Sequence, residues 1–230
     1  MQTTCEPEYI PATFIKELKN RFLCEVDIDG ERVVCYVPSS CHLSNFLELE
    51  GKKVLLVPTQ TKGSRTKYAL FAAPYKRNYL LLNSSMANRA IENSINSRRF
   101  SYLGKRTTVF CEHYVSGYKC DIYIKDTDTI IEIKSVLSLE ENAIFPTVFS
   151  ERSITQLDKL YQLLLNGSQV NYVIVSLNPY VKTVNIAQNT PFASKLRLCM
   201  DQGMNITAFS CGLNGGEISI RRQIPVRIVP

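Results

Sequence analysis

The sequence predicts a two-part chain of the mixed α/β (α+β) class, with a small β-barrel or sandwich over residues 1–78 and a mixed α/β domain over residues 79–230. Three observations predict it. Short β-rich runs punctuated by turn signals fill the first third. A composition shift near residues 74–83 marks a boundary. Beyond it, helical and strand periodicities alternate.

Within the first part, residues 21–27 and 32–37 flank Ile28-Asp29-Gly30-Glu31, and Asp-Gly is a strong hairpin signal. Residues 52–58 alternate into another strand after the turn at Glu50-Gly51, and residues 67–73 form one more after the Thr61–Arg65 loop. In the second part, Asn83-Ser84-Ser85 offers capping residues for a helix through about Ser97, with Ala87, Ile91 and Ile95 on one stripe. Strands are expected over 107–114, 119–125 and 129–136. Ser153-Ile154-Thr155-Gln156 matches a capping box opening a helix that ends at Asn166-Gly167. A strand over 171–177, a helix over 191–202, a strand over 205–211, the turn Asn214-Gly215-Gly216 and a last strand complete an α-β-β-β-α-β-α-β order.

Bulk properties narrow the function classes. The net charge of +6 is compatible with a nucleic-acid partner without requiring one. No apolar run reaches the roughly 18 residues of a membrane span, so no membrane partner is expected. The N-terminal residues lack a secretory pattern, which favours a cytoplasmic location. The eight cysteines contain no C-x-x-C pair, and free thiols packed as small hydrophobes explain them best.

The chemistry concentrates in Cys120-Asp121-Ile122-Tyr123-Ile124 and Ile130-Ile131-Glu132-Ile133-Lys134, two strands about the turn Asp126-Thr127-Asp128. An even connection sets Ile122 opposite Ile133 and Ile124 opposite Ile131. Cys120 and the four isoleucines then share an apolar face, and Asp121, Glu132 and Lys134 share the other. Two carboxylates and an ammonium on one patch suit Mg²⁺-assisted phosphodiester chemistry. An ordinary solvated hairpin face, with Lys134 paired to Asp121, is the alternative.

The element order, with Asp on the second strand and Glu-x-Lys on the third, is similar to the core of the PD-(D/E)xK restriction-endonuclease-like superfamily. From about Arg21 onward the chain more specifically resembles the bacterial sugar fermentation stimulation protein family (SfsA). The resemblance rests on Asn83-Ser84-Ser85-Met86-Ala87-Asn88, Lys119-Cys120-Asp121, Ile131-Glu132-Ile133-Lys134 and Phe145-Pro146-Thr147-Val148-Phe149-Ser150-Glu151-Arg152. It implies an N-terminal OB-like barrel and a C-terminal nuclease-like domain that binds DNA. It further implies Mg²⁺ or Mn²⁺ held by Asp121, Glu132 and the Ile133 carbonyl, with Lys134 polarising water or offsetting phosphorane charge. The alternative is a non-catalytic DNA-binding regulator of sugar-utilisation genes.

Departures from the family pattern keep both readings open. The carboxylate of the first nuclease-domain helix falls at Asn93, and Glu92, one residue earlier, is turned about 100° from it. Gln156 has two readings, a superfamily contact to metal-bound water or the cap that its position explains. Arg152 at a helix entrance is a phosphate-contact candidate. Lys62, Arg65, Lys67, Lys76 and Arg77, interleaved with Tyr68, Tyr75 and Tyr79, resemble a platform for single strands. Glu112 is either an outer-shell group or a solvated strand residue.

Overall fold

The computed structural model describes residues 9–38, 42–59 and 63–230. Strands β1 (Ile10–Glu17), β2 (Leu23–Ile28), β3 (Glu31–Tyr36), β4 (Lys53–Pro58) and β5 (Tyr68–Tyr75) pair in the order β3-β2-β1-β4-β5. A parallel contact between Tyr36 and Ala69 joins β3 to β5 and closes the sheet into an OB-like barrel. Strand β1 was absent from the expectation because Pro11 interrupts its pattern. The alternation of Ala12 and Phe14 into the barrel core nevertheless makes it a strand. Cys24, Val26, Cys35, Val54, Leu56 and Leu70 fill that core with it.

Glu17 ties the barrel to the short 3₁₀ turn Leu43–Asn45. Its carboxylate accepts the Leu43 N–H at 2.7 Å, the Ser44 N–H at 3.1 Å and the Ser44 hydroxyl at 2.9 Å. Burial works against its charge, but these donors outweigh it, so the carboxyl titrates below its ordinary value. A depressed folded-state pKa contributes stability at pH values above the unfolded carboxylate's, near 4.3, and loses it as pH falls through the folded value. Glu17→Gln should therefore melt below the wild type near neutrality, the gap closing as pH drops under about 4. A gap that stayed constant across an acid series of melts would contradict this.

Strand β6 (Asn78–Leu81) pairs with β5 and leads into the second part, where the Leu81 N–H donates to the Leu177 carbonyl at 3.1 Å. There follow α1 (Met86–Ser94), β7 (Val109–Val115), β8 (Tyr118–Ile124), β9 (Thr129–Val136), β10 (Asn142–Ile144) and α2 (Glu151–Leu165). Strand β11 (Gln169–Ser176), β12 (Thr183–Ala187), α3 (Pro191–Asp201), β13 (Asn205–Asn214), β14 (Glu217–Ile224) and β15 (Val226–Val229) complete the chain. The main sheet runs β14-β13-β11-β9-β8-β7, with β9, β11 and β13 parallel. The small parallel sheet β10-β12-β15 was not expected. Its strands are three to five residues long and take their form from pairing with one another.

Helix α1 covers one face of the main sheet, and α2 and α3 the other. The α1 face packs Ile122, Ile124, Ile131, Ile133, Val173, Val175 and Phe209; the α2 face packs Cys120, Ile130, Leu157, Leu160, Tyr172 and Ile174. Cys120 therefore does not share a core with Ile122, contrary to the strict alternation expected. The α2 helix starts at Glu151, with Ser150 as its N-cap accepting the Ser153 N–H at 3.3 Å. The expected capping box at Ser153 and Gln156 does not form, and Gln156 is left free for other work. The six cysteines among the described residues are free thiols, five of them buried. Cys5 and Cys41 lie outside those residues.

Candidate active site

The β8–β9 hairpin pairs Ile122 with Ile131, Tyr123 with Ile130 and Ile124 with Thr129. This is two residues from the expected register, because the 3₁₀ turn Lys125–Thr127 and left-handed Asp128 centre the turn one residue earlier, over residues 125–128. A two-residue slip keeps parity, so Glu132 stays off the α1-side core. Pairing ends at Ile122, and beyond it the two strands diverge into a fork.

Asp121 bridges that fork. Its Oδ2 accepts the Ile133 N–H at 2.7 Å, and its Oδ1 accepts Asn88 Nδ2 on α1 at 2.9 Å. In an extended strand a residue's N–H and C=O point to the same side, so the Ile133 carbonyl also faces the fork. Glu132 projects to the α2 side and is 2% exposed. Its Oε1 accepts Lys134 Nζ at 2.6 Å and Gln156 Nε2 at 2.5 Å, while its Oε2 accepts the Tyr118 hydroxyl at 2.6 Å. Lys134 thus pairs with Glu132, not with Asp121 as the expected register implied.

Burial pushes the Glu132 carboxyl above its ordinary value; Lys134 opposes this and the nearby Asp121 charge adds to it. Two carboxylates against one ammonium leave the cluster with a net negative charge. Beside it the hydroxyl of Tyr172, which pairs in register with Glu132 on β11, is buried without a hydrogen-bond partner among the described residues. Among the described residues, no three His, Cys, Asp or Glu side chains group closely enough to hold a metal by themselves. The hard-oxygen set at the fork is two carboxylates with lone pairs to spare and one backbone carbonyl. That chemistry fits Mg²⁺ or Mn²⁺, which keep several waters.

Asn93 is no part of this cluster: its Nδ2 donates to the Ile218 carbonyl of β14 at 2.8 Å. Glu92 lies four residues after Asn88, about one helical turn, and its charge reaches Cys111 on β7. The helix carboxylate therefore faces the β7 side of the sheet. Tyr118 and Asn88 are the site residues that sequence reasoning missed as contacts, whereas Gln156 was a candidate with two readings. The superfamily reading of Gln156 was the available signal.

A cleft of about 410 Å³ opens next to Glu132, lined by Tyr114, Tyr118, Lys119, Arg152, Gln156 and Lys159 among others. Arg152 is exposed there, and Lys119 is paired with Glu112 at 2.9 Å. The barrel cations do not join this patch. Arg65 and Lys67 precede β5 and Arg77 follows it, and an eight-residue strand separates them by about 25 Å. Lys62 lies outside the described residues. Tyr68 and Tyr75 pack on the barrel core and Tyr79 on the α1-side core, so these rings are not a free stacking platform. The Tyr75 hydroxyl donates to the Leu139 carbonyl at 2.9 Å.

Among known proteins, the family model described as "Sugar fermentation stimulation protein RE domain" matches residues 85–217, and "SfsA N-terminal OB domain" matches residues 18–82. A sugar fermentation stimulation protein homolog of Caldanaerobacter subterraneus is 28% identical over 222 residues, covering 94% of this chain and 96% of the relative. One from Clostridium perfringens is 26% identical over 215 residues, covering 90% and 92%. The solved structure of Pyrococcus furiosus SfsA in complex with Ca²⁺ has the same fold, with TM-score 0.78 at 21% identity over 95% of this chain and 96% of that one. No helix among the described residues is long and apolar enough to cross a membrane.

Proposed function

We propose, for a chain that belongs to the sugar fermentation stimulation protein family, a divalent-metal-dependent nuclease that binds DNA in the cleft beside Glu132. One observation carries the reading: the Glu132 carboxyl is buried beside that of Asp121, with Lys134 as the one ammonium bonded to it. A buried carboxylate next to a second, half-buried one is costly to ionise unless a cation compensates them. Asp121, Glu132 and the Ile133 carbonyl would hold Mg²⁺ or Mn²⁺, and the relative described in complex with Ca²⁺ supports a divalent site in this fold. When bound, the ion supplies Lewis acidity toward a phosphodiester and acidifies water.

The chain's own residues do the rest. Asn88 and the Ile133 N–H fix the Asp121 carboxylate, and Gln156 and Tyr118 fix that of Glu132. Lys134, partly exposed at the rim, places positive charge where an attacked phosphate becomes more anionic. Lys119, Arg152 and Lys159 line the cleft as phosphate contacts, Arg152 being on the first turn of α2. Arg65, Lys67 and Arg77 on the barrel would add only separate contacts.

The test is cleavage of labelled DNA with Mg²⁺ or Mn²⁺ against a chelator control. Cleavage that needs the ion supports the enzyme. Binding without cleavage across metals and substrates would leave the non-catalytic regulator. Binding should also be steeply salt-dependent. Replacing Lys119, Arg152 and Lys159 together by alanine should lower the slope of log affinity against log salt by up to about 3. An unchanged slope would remove the cleft from the binding path.

A further inference from the structure

Strand β7 carries a second feature on the same side of the sheet as Glu132. Phe110, His113 and Tyr123 form a group of near-parallel rings, with centroids 4.8 Å apart for Phe110–His113 and 5.2 Å for His113–Tyr123. The interplanar angles are 21° and 7°. Phe110 and Tyr123 are cross-strand partners. Phe110 and His113 are three residues apart and would face opposite sides of a regular strand.

The backbone at Glu112 changes that. It has a φ of 48°, the left-handed region that a non-glycine residue occupies at a cost of about 1–2 kcal/mol. Glu112 and Asp121 are missing from the β7–β8 pairing, although their neighbours on both sides keep one register. The irregularity brings Phe110 and His113 onto one side, and it sits opposite the residue that bridges the fork. Sterically costly backbone of this kind marks functional positions.

The ring group is also open. Phe110 is 39% exposed, and Tyr114, farther along the strand and lining the basic cleft, is 67% exposed. The rings lie on the edge strand whose far end borders the cleft of Lys119, Arg152 and Lys159 at Tyr114, which alternates to the other side of the strand from His113. Flat exposed rings beside a cationic groove match an unpaired nucleobase on a phosphate backbone. Base pairs of an intact duplex cannot offer a free face to them.

We propose that Phe110, with His113 and Tyr123 behind it, forms a base-stacking platform that selects nucleic acid with an unpaired segment next to the cleft. This rests on the nuclease reading above and narrows its substrate class. A phosphate arriving there competes with Glu112 for Lys119.

The test is fluorescence anisotropy of the full chain with a labelled oligothymidylate and with a duplex of the same length, in chelator so that nothing is cut. Phe110→Ala should weaken single-strand binding by about fivefold or more while duplex binding stays within about twofold, and Phe110→Tyr should bind like the wild type. Equal losses on both oligonucleotides, or no loss on the single strand, would overturn the platform while metal-dependent cleavage could still stand. Single-strand selectivity that depends on Phe110, in a protein that cuts nothing, would support the platform and sink the nuclease. A wild type that binds neither oligonucleotide would overturn both.

Discussion

Asp121→Asn and Glu132→Gln are each expected to reduce metal-dependent cleavage by about a hundredfold to a thousandfold or more. The figure follows from the several kcal/mol that a bound ion contributes to a phosphoryl-transfer transition state, at about tenfold in rate per 1.4 kcal/mol. Both replacements are nearly isosteric. An asparagine oxygen can still accept the Ile133 N–H, and a glutamine still fills the pocket between Tyr118 and Gln156. Circular dichroism and melts should therefore stay close to the wild type. For Glu132→Gln the metal-free protein should melt no lower, because burial disfavours the carboxylate charge that glutamine removes. Lys134→Met separates roles: cleavage should fall while the ion still binds, since Lys134 touches Glu132 but offers no ligand. Full activity in either carboxylate variant would contradict the assignment.

Phe209→Ala is expected to be the most damaging core substitution, at about 3–5 kcal/mol. Phe209 is fully buried on β13, its ring 5.1 Å from that of Phe100. It shares the α1-side core with Ile131 and Ile133, the residues flanking Glu132. At about 2–4 °C per kcal/mol for a chain of this size, the melting temperature should drop by roughly 6–20 °C. Because that core supports the strand carrying Glu132, activity measured near the lowered melting point should fall with stability and recover on cooling. A shift under about 2 °C would mean that the neighbours collapse into the space.

The fold and site were legible to different depths. The barrel's hairpin at Asp29-Gly30, the three strands β7 to β9 and the helices α2 and α3 follow from period and turn chemistry, and the structure contains them. Strand β1 was hidden by Pro11, and β10, β12 and β15 by their shortness, since pairing partners distant in sequence decide such segments. Parity at the fork was readable because side chains alternate; register was not, because the Lys125–Asp128 turn is set by backbone geometry. The same limit concealed Glu112. A left-handed glutamate leaves no mark in a hydrophobic pattern, yet it accompanies the separation of Cys120 from Ile122 and aligns the β7 rings. Gln156 stayed ambiguous because a cap explained it locally; in the structure Ser150 caps the helix and Glu132 takes the amide.

In the proposed site Asp121 and Glu132 would jointly hold a divalent cation. Calorimetric titration of Mn²⁺ into the metal-free full chain tests it without depending on any choice of substrate. A saturable site is expected in the wild type, lost when Asp121 and Glu132 are both replaced by alanine and kept in Lys134→Met. A wild type that binds no Mn²⁺ or Mg²⁺, or a double variant that binds as well as the wild type, would contradict it.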